Sequence, residues 1–497
     1  MKKLLKTSPA GVALYLAISA ACLSFVFVLS QVQSGRLGAF LDFMNSDVAM
    51  AAEQPGMPPA PSPTPSPAAV ASASISPAKG AVETPIDSIP QEFDDQSFAS
   101  TDVLNDRLNL LPDDFKIPPA LRDRVSFWFD IYSKYTSHFV LIHDSLRPWI
   151  VYRVVDLRSI YSSGGNRFTQ AANDHRAVIH ARQEVRFTLY KLARKKNYQK
   201  LTDEEYKFYK ILEAVPGSRR KVFAQAARYV RDQRGQKDFY RQGLISSSLY
   251  LNEMEEIFAR YDLPVELTRL PLVESSFNLA AQSKVGASGI WQFMLDTGRH
   301  YLSVGNIADE RNSPLKATEA AARLMLSNFR ITHSWPLAIT AYNHGAGGVL
   351  HAARVVHTNN IVDIVNKYHS RSFSFASQNF YSEFMAALYG EKYKDQIFGA
   401  MPKYPPLASE MIDLKYSMRA KTLTDLVGIT VEELKLYNPD LRAQAIARAT
   451  FLPVGYHIRL PVGRKARLEL FYQQAEEAKA IVGTTVAHKT LRSQRHG

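Results

Sequence analysis

Hydrophobic and polar positions divide the chain into stretches of different period. Ala10 to Leu29 is almost wholly apolar, and no charge falls between Thr7 and Gly35. Such a run is long enough to cross a bilayer core of about 30 Å. From Glu53 to about Gln91 apolar periodicity disappears. Pro58-Pro-Ala-Pro-Ser-Pro-Thr-Pro-Ser-Pro67 and the Ala/Ser run after it bury no core and predict a semi-rigid linker, 53–91. Residues 176–215 carry Val178, Ala181, Val185, Leu189 and Leu192 at helical spacing, and the aromatics of 121–160 (Phe127, Trp128, Phe129, Tyr132, Tyr135, Phe139, Trp149, Tyr152) read as core. We therefore expect a helical region over 102–243. Helix signals dominate 244–395, for example Leu315 to Phe329, where Ser313 is a candidate N-cap and Ala317, Ala320, Ala321, Leu324 and Leu326 recur at helical spacing. At 411–463 the period changes again. Ile412–Tyr416 alternates like a strand, two short helices flank Gly428-Ile-Thr430, and Tyr456–Pro461 closes as a strand. This predicts a small α+β module, followed by a polar tail, 464–497.

The chain has 497 residues, enough for two or three domains. Lys plus Arg exceed Asp plus Glu by 60 to 47, a net charge of +13. Such an excess favours contact with polyanions: nucleic acid, anionic lipid or an acidic wall polymer. No nucleic-acid-binding pattern appears, so nucleic acid is not expected as a partner. Arg219, Arg220, Lys221, Arg228, Arg231, Arg234, Lys237 and Arg241 form a basic stretch on an expected helix. The single cysteine, Cys22, excludes an internal disulfide and multi-cysteine zinc sites. Lys2, Lys3 and Lys6 before the apolar run place the rest of the chain outside the cytoplasm, on the envelope side of the membrane. Segment 1–30 then reads as a retained anchor or a signal peptide. Ala20-Ala21-Cys22 resembles the end of a lipobox, but Ser19 and the apolar continuation Leu23–Leu29 argue against lipidation.

The candidate chemistry centres on Glu274, in Leu270-Pro-Leu-Val-Glu-Ser-Ser-Phe277. Apolar neighbours withdraw water from a carboxylate and favour its protonated form, as a general acid requires near neutral pH. Gly286-Ala-Ser-Gly-Ile-Trp-Gln-Phe-Met294 follows, with Gln292 flanked by Trp291 and Phe293. Aromatic faces beside fixed amide groups suit a sugar. Ala341-Tyr-Asn-His-Gly345 then offers Tyr342 and Asn343 next to glycines that allow a tight turn. The sequence shows no second carboxylate in a motif near Glu274: Glu266 lies eight residues earlier and Asp296 reads as a surface helix residue. No metal and no cofactor are expected, because His333, His344, His351 and His357 lack acidic or Cys partners at ligand spacing.

In this order, over 245–395, these motifs resemble the family 1 lytic transglycosylases. The resemblance implies a mainly α, goose-type-lysozyme-like catalytic domain at 244–395, and likens 411–463 to a LysM module. It makes Glu274 the catalytic acid, with Ser275 completing the Glu-Ser pair. Gly289-Ile-Trp-Gln292 and Ala341-Tyr-Asn343 match the other motifs, and Ser275, Gln292, Tyr342, Asn343 and Tyr381 become candidate substrate-binding residues. The implied partners are peptidoglycan glycan strands, plus the membrane through the N-terminal segment. The implied reaction cleaves the link between N-acetylmuramic acid and N-acetylglucosamine and leaves a 1,6-anhydro end. Two positions depart from the family pattern: His344 stands in place of Ala, and Phe380 where a tyrosine is usual. A decayed wall-binding scaffold and a hydrolytic muramidase are the alternatives.

Overall fold

The computed structural model describes residues 82–84, 100–162, 166–447 and 450–478. The expected anchor, most of the linker and the tail beyond 478 lie outside the described residues, and no described helix is long and apolar enough to cross a membrane.

The region 102–243, expected to be helical, carries strands beside its helices. Four antiparallel strands, β1 (Val82–Thr84), β2 (Phe139–Asp144), β3 (Val151–Asp156) and β4 (Val230–Arg234), form a sheet in the order β1-β3-β2-β4. Every residue of β2 is buried, as are all but one of β3, so neither shows the apolar–polar alternation that marks a half-exposed strand. Their aromatics instead resemble core helix. β1 falls inside the expected linker, where its backbone pairs with β3 in the register Val82–Asp156 to Thr84–Val154. The basic stretch is likewise not one helix. It runs through α3 (Arg219–Arg228), β4 and α4 (Lys237–Ser247), and Arg182 and Asp174 pair with Asp232 and Arg234 of the strand at 2.6 Å each.

Helices α1 (Arg122–Ser133) and α2 (Arg167–Arg194) precede that stretch. The helical spacing in α2 is real: Val178, Ala181, Val185, Leu189 and Leu192 share a core with Tyr152, Val155, Phe208 and Phe223. Asn166 caps α2 by accepting from the Thr169 amide at 2.9 Å.

The stretch 244–395 is helical, as expected. Its main elements are α5 (Leu270–Ser275), α6 (Pro314–Thr332), α7 (Trp335–His344) and α8 (Phe375–Lys392). α8 is buried along almost its whole length and packs against α1, α5 and α7. A helix covered on all sides must be apolar on all sides or have its polar groups satisfied. Asn379 shows how. It is fully buried, accepts from Arg124 Nη1 at 2.9 Å and Trp128 Nε1 at 3.1 Å, and donates to the Phe375 carbonyl at 2.7 Å. One side chain thus ties α8 to α1.

In the C-terminal module, β5 (Ser409–Asp413) pairs with β8 (His457–Pro461), and β6 (Met418–Arg419) with β7 (Phe451–Leu452). Between them lie α9 (Ala420–Val427) and α10 (Val431–Tyr437), the latter opened by a Thr430–Glu433 capping box. The tail adds to this core: a helix at 465–478 inserts Leu468 and Tyr472. The module is fastened to the 244–395 stretch by Lys316–Asp440 at 2.9 Å and Arg442–Asp309 at 3.0 Å.

Asn379→Leu would strand the buried Trp128 and Arg124 donors. We expect a loss of about 2–4 kcal/mol in stability, read as a lower midpoint of urea denaturation. A change within ±0.5 kcal/mol would remove Asn379 as the tie between α1 and α8.

Candidate active site

Glu274 sits in the last turn of α5, a helix of six residues set up by its sequence. Pro271 occupies the first turn, where a missing amide costs nothing. Ser276 (φ 49°) and Phe277 (φ 56°) then take left-handed conformations that stop the helix. α4 presses on this turn through Gly243, where a Cβ would stand 2.4 Å from the Ser276 carbonyl oxygen. At the other end, buried Arg269 pairs with Glu255 and, at 3.1 Å, with Glu391 of α8. The acid-bearing turn is thus clamped on three sides.

The Glu274 side chain is only partly accessible, and burial pushes its carboxyl up to about 8. Burial is the cause of that rise, and Leu270, Leu272, Val273 and Phe277, its neighbours in sequence, are themselves buried. Near neutral pH the group holds its proton, as the sequence predicts for a carboxyl in that run.

Ser275 is buried, and its hydroxyl donates to the Ile290 carbonyl at 3.0 Å. Expected on a substrate, it instead staples α5 to the Gly289–Gln292 turn. That turn needs its glycine: Gly289 has φ 76°, and a Cβ there would lie 1.8 Å from the Arg311 carbonyl oxygen. Arg311 holds the same loop by donating to the Gly286 carbonyl at 2.8 Å and the Phe293 carbonyl at 3.1 Å, while paired with Asp309 at 2.8 Å. No motif in the sequence marks this anchor.

Gln292 is half-buried with φ 48°, and its amide nitrogen donates to the Gly289 carbonyl at 2.8 Å and the Ala281 carbonyl at 3.3 Å. Both donors serve the loop, which leaves the amide oxygen to accept from a ligand. Trp291 and Phe293 differ from the expectation of sugar platforms. Both are buried, and Trp291 stacks on Phe258 (5.8 Å, 8°) while its indole donates to Thr318 at 2.9 Å. Sequence adjacency to Gln292 could not distinguish a sugar-facing ring from a core ring.

Tyr342 is half-buried, and its hydroxyl donates to the Trp291 carbonyl at 2.8 Å. Burial, and then the Glu274 charge, hold this phenol far above its ordinary range, so Tyr342 and Glu274 are neighbours. Phe380 of α8 lies parallel to the Tyr342 ring (6.5 Å, 7°). Tyr381, a candidate substrate-binding residue, is buried, and Tyr389 is its electrostatic neighbour. Asn343 is half-buried and accepts from the Ser377 hydroxyl at 2.9 Å; that oxygen also lies 3.2 Å from His344 Nδ1. His344 therefore builds a polar row along α7 and α8, and burial lowers its pKa.

Two groups near Glu274 were not foreseen. Glu383 of α8 is buried and lies in the electrostatic field of Glu274, which with burial pushes it up to about 8. Tyr132 of α1 feels both carboxyls, so the N-terminal region contributes to the back of the site. Neither had a signal in the sequence, because each is brought in by packing from more than a hundred residues away. The carboxylates weighed earlier are elsewhere: Glu266 is buried against Lys392 at 3.4 Å, and Asp296 is exposed. Among the described residues no group of three or more His, Cys, Asp or Glu could hold a metal. His333 closes α6 in a left-handed turn (φ 50°), and His351 meets the edge of Tyr368.

This helical frame around the Glu274 carboxyl can be set beside known proteins. Residues 255–364 match the family model described as the transglycosylase SLT domain. The chain carries an SLT domain. It is 26% identical over 236 residues to the membrane-bound lytic murein transglycosylase D of Escherichia coli (strain K12), covering 46% of this chain and 49% of that protein. The same figures hold for its counterpart in E. coli O6:H1 (strain CFT073). A 93-residue stretch is 37% identical to a putative tributyltin chloride resistance protein of Alteromonas sp. (strain M-1), covering 18% of this chain and 45% of that protein. The chain spans about half the length of the curated relatives it matches. The SLT match contains Glu274, Gln292, Tyr342 and Asn343, whereas Glu383 and Tyr132 lie outside it.

Placing a carboxyl in an SLT domain where its pKa rises from 4.5 to about 8 makes stability depend on pH. The unfolded chain loses this proton near pH 4.5 and the folded chain near 8, so the folded state is progressively penalised between those values and by a constant amount above them. Glu274→Gln removes the penalty. We expect equal stability of variant and native protein at pH 4, and a variant more stable by a few kcal/mol at pH 8, measured by denaturant unfolding. A difference independent of pH would contradict the buried acid.

Proposed function

We propose that this protein is a peptidoglycan lytic transglycosylase and that Glu274 is its catalytic residue. The observation that carries the reading is a neutral, partly accessible carboxyl in an apolar wall of an SLT domain. The names of the E. coli relatives support murein as the substrate and the cell envelope as the location.

In the first step Glu274 gives its proton to the oxygen that links N-acetylmuramic acid to N-acetylglucosamine. The C1–O bond breaks, and an oxocarbenium-like centre forms at C1. Glu274, now ionised, takes the proton of the muramyl 6-hydroxyl as that oxygen bonds to C1. The acid regains its proton, no water is consumed, and a 1,6-anhydro ring results. The acetamido group of the sugar can steady the cation at C1. The Gln292 amide oxygen and the Asn343 amide are the groups in this wall with capacity left to orient it, since the Tyr342 hydroxyl is engaged with Trp291. Hydrolysis by two carboxylates needs a second carboxylate open to water or sugar about 5–9.5 Å from the acid. Glu383 is the second carboxyl, but one of its oxygens is closed off from solvent, which favours the lyase over the muramidase. The retained acid, with its proton held near neutrality, favours an enzyme over a decayed scaffold.

The C-terminal module fits a LysM-like glycan-binding role in this reading, and the N-terminal apolar segment fits delivery to the envelope. Ser275 acts by fixing α5 to the Gly289–Gln292 turn.

The full chain acting on purified sacculi should release muropeptides with anhydro ends, 18 mass units lighter than hydrolytic products, one water being about 18. Glu274→Gln should lower release at least about 1000-fold, and kcat/KM of the native protein should fall about tenfold per pH unit above about 8. Hydrated products would establish the muramidase, and no release in a peptidoglycan gel assay would establish the scaffold.

A further inference from the structure

Gln292 and Asn343 are two amides of this wall, and each has one half engaged. Gln292 gives its nitrogen to the Gly289 and Ala281 carbonyls at 2.8 and 3.3 Å, so its oxygen is left. Asn343 is the converse. Its oxygen accepts from the Ser377 hydroxyl at 2.9 Å, and its nitrogen has no partner among the described residues. Their chain neighbours are bonded to each other, since Tyr342 donates to the Trp291 carbonyl at 2.8 Å. The wall therefore offers one acceptor and one donor. A secondary amide, such as the acetamido group of an N-acetylated sugar, carries one N–H and one C=O to match them. A sugar amine has no carbonyl for Asn343 to reach.

An asparagine amide can turn either end outward, and its hydrogen-bond network decides which. Here the network is Ser377 of α8 and His344 of α7. Ser377 is 5% exposed, and its hydroxyl has a single hydrogen. That hydrogen goes to the Asn343 oxygen, so Ser377 can only accept from His344, whose Nδ1 lies 3.2 Å away. His344 must then carry its proton on Nδ1. With the proton there, donation runs one way, from His344 to Ser377 to Asn343, and the Asn343 nitrogen is left for a ligand. With the proton on Nε2 alone, Nδ1 would draw the Ser377 hydrogen to itself, and the Asn343 oxygen would face outward. The imidazole is held in place for this. Phe373 lies across it (5.0 Å, 87°), and Gly348 leaves it room, since a Cβ there would stand 2.6 Å from His344 Cδ2.

We propose that Ser377 and His344 are positioning residues that turn the donor end of Asn343 toward the substrate and so make the site selective for N-acetylated over de-N-acetylated glycan strands. This deepens the functional reading above and rests on it. Neither residue needs to touch the sugar.

The experiment uses the full-length native protein with Ser377→Ala, His344→Ala, His344→Asn and His344→Gln. Nitrogen NMR of histidine-labelled protein at pH 8, where burial keeps His344 neutral, reads the row without any need for activity. His344→Ala identifies the signal, which should report a proton on Nδ1; a proton on Nε2 overturns the proposal. In kinetics on sacculi before and after chemical de-N-acetylation, the native protein should prefer acetylated strands in kcat/KM by about 100-fold or more. His344→Ala and Ser377→Ala should lower that preference at least about tenfold, through loss on acetylated strands. His344→Asn should keep it within about threefold, because the new amide nitrogen takes the place of Nδ1, whereas His344→Gln, whose amide reaches the place of Nε2, should not. A native protein without the preference, or variants slowed by one factor on both strands, would leave Ser377 and His344 a structural role only and overturn the proposal. Should Ser377→Ala fail to fold, the three His344 variants carry the same comparison. If neither kind of strand yields product, the functional reading fails by itself. Calorimetric binding of chitin oligomers with and without their acetyl groups then tests the selectivity, and equal affinity of the native protein for both would overturn it.

Discussion

An ionisable carboxyl held in apolar surroundings is the constraint around which this molecule is arranged. Raising Glu274 from 4.5 to about 8 means that its charged form is disfavoured by several kcal/mol relative to water, at about 1.4 kcal/mol per unit. Free energy of that size must come from elsewhere in the fold, since whole domains are stable by only about 5–15 kcal/mol. The structure supplies it around α5. Arg269 locks the start of the helix to α8, Ser275 staples its end to the Gly289–Gln292 turn, and Gly243 lets α4 close over the Ser276 turn. Each contact leaves Glu274 less room to turn toward water.

α8 meets that arrangement at several further points. It receives α1 through Asn379, holds Arg269 through Glu391, presents Phe380 to Tyr342 and places Glu383 near the acid. A helix with so many buried duties cannot be drawn from an amphipathic pattern, because it has no solvent face. This explains why the sequence revealed its helical character but not its role. Helix phase separates two neighbours in sequence: Phe380 lies parallel to the Tyr342 ring, while Tyr381 is buried with Tyr389 as its electrostatic neighbour.

Legibility followed the range of the interactions. The apolar run around Glu274 was readable because it is contiguous in sequence, and Leu270, Leu272, Val273 and Phe277 are indeed buried. The α2 stripe and the order strand-helix-helix-strand at 411–463 were readable for the same reason. β2 and β3 were not, because strands buried on both faces lose their alternation, and β1 was not, because its pairing is made by backbone that composition alone reads as linker. Trp291 and Phe293 were misjudged since a ring's burial depends on what packs from afar, here Phe258 and Thr318. Arg311 illustrates the same limit, since its role lies in carbonyls 18 and 25 residues upstream.

The unequal reach of these interactions bears on what the N-terminal region contributes. Tyr132 and Arg231 come from outside the SLT match, yet one feels both carboxyls and the other draws Glu383 toward its charged form. An SLT domain cut free of that region would keep Glu274 and its apolar neighbours but lose the cation facing Glu383. It would also expose α8 where α1 now covers it. Glu274 itself stands on α5, whereas two groups that feel its charge, Tyr132 and Glu383, stand on α1 and α8. The N-terminal sheet and helices are in this sense a wall of the site rather than a separate appendage.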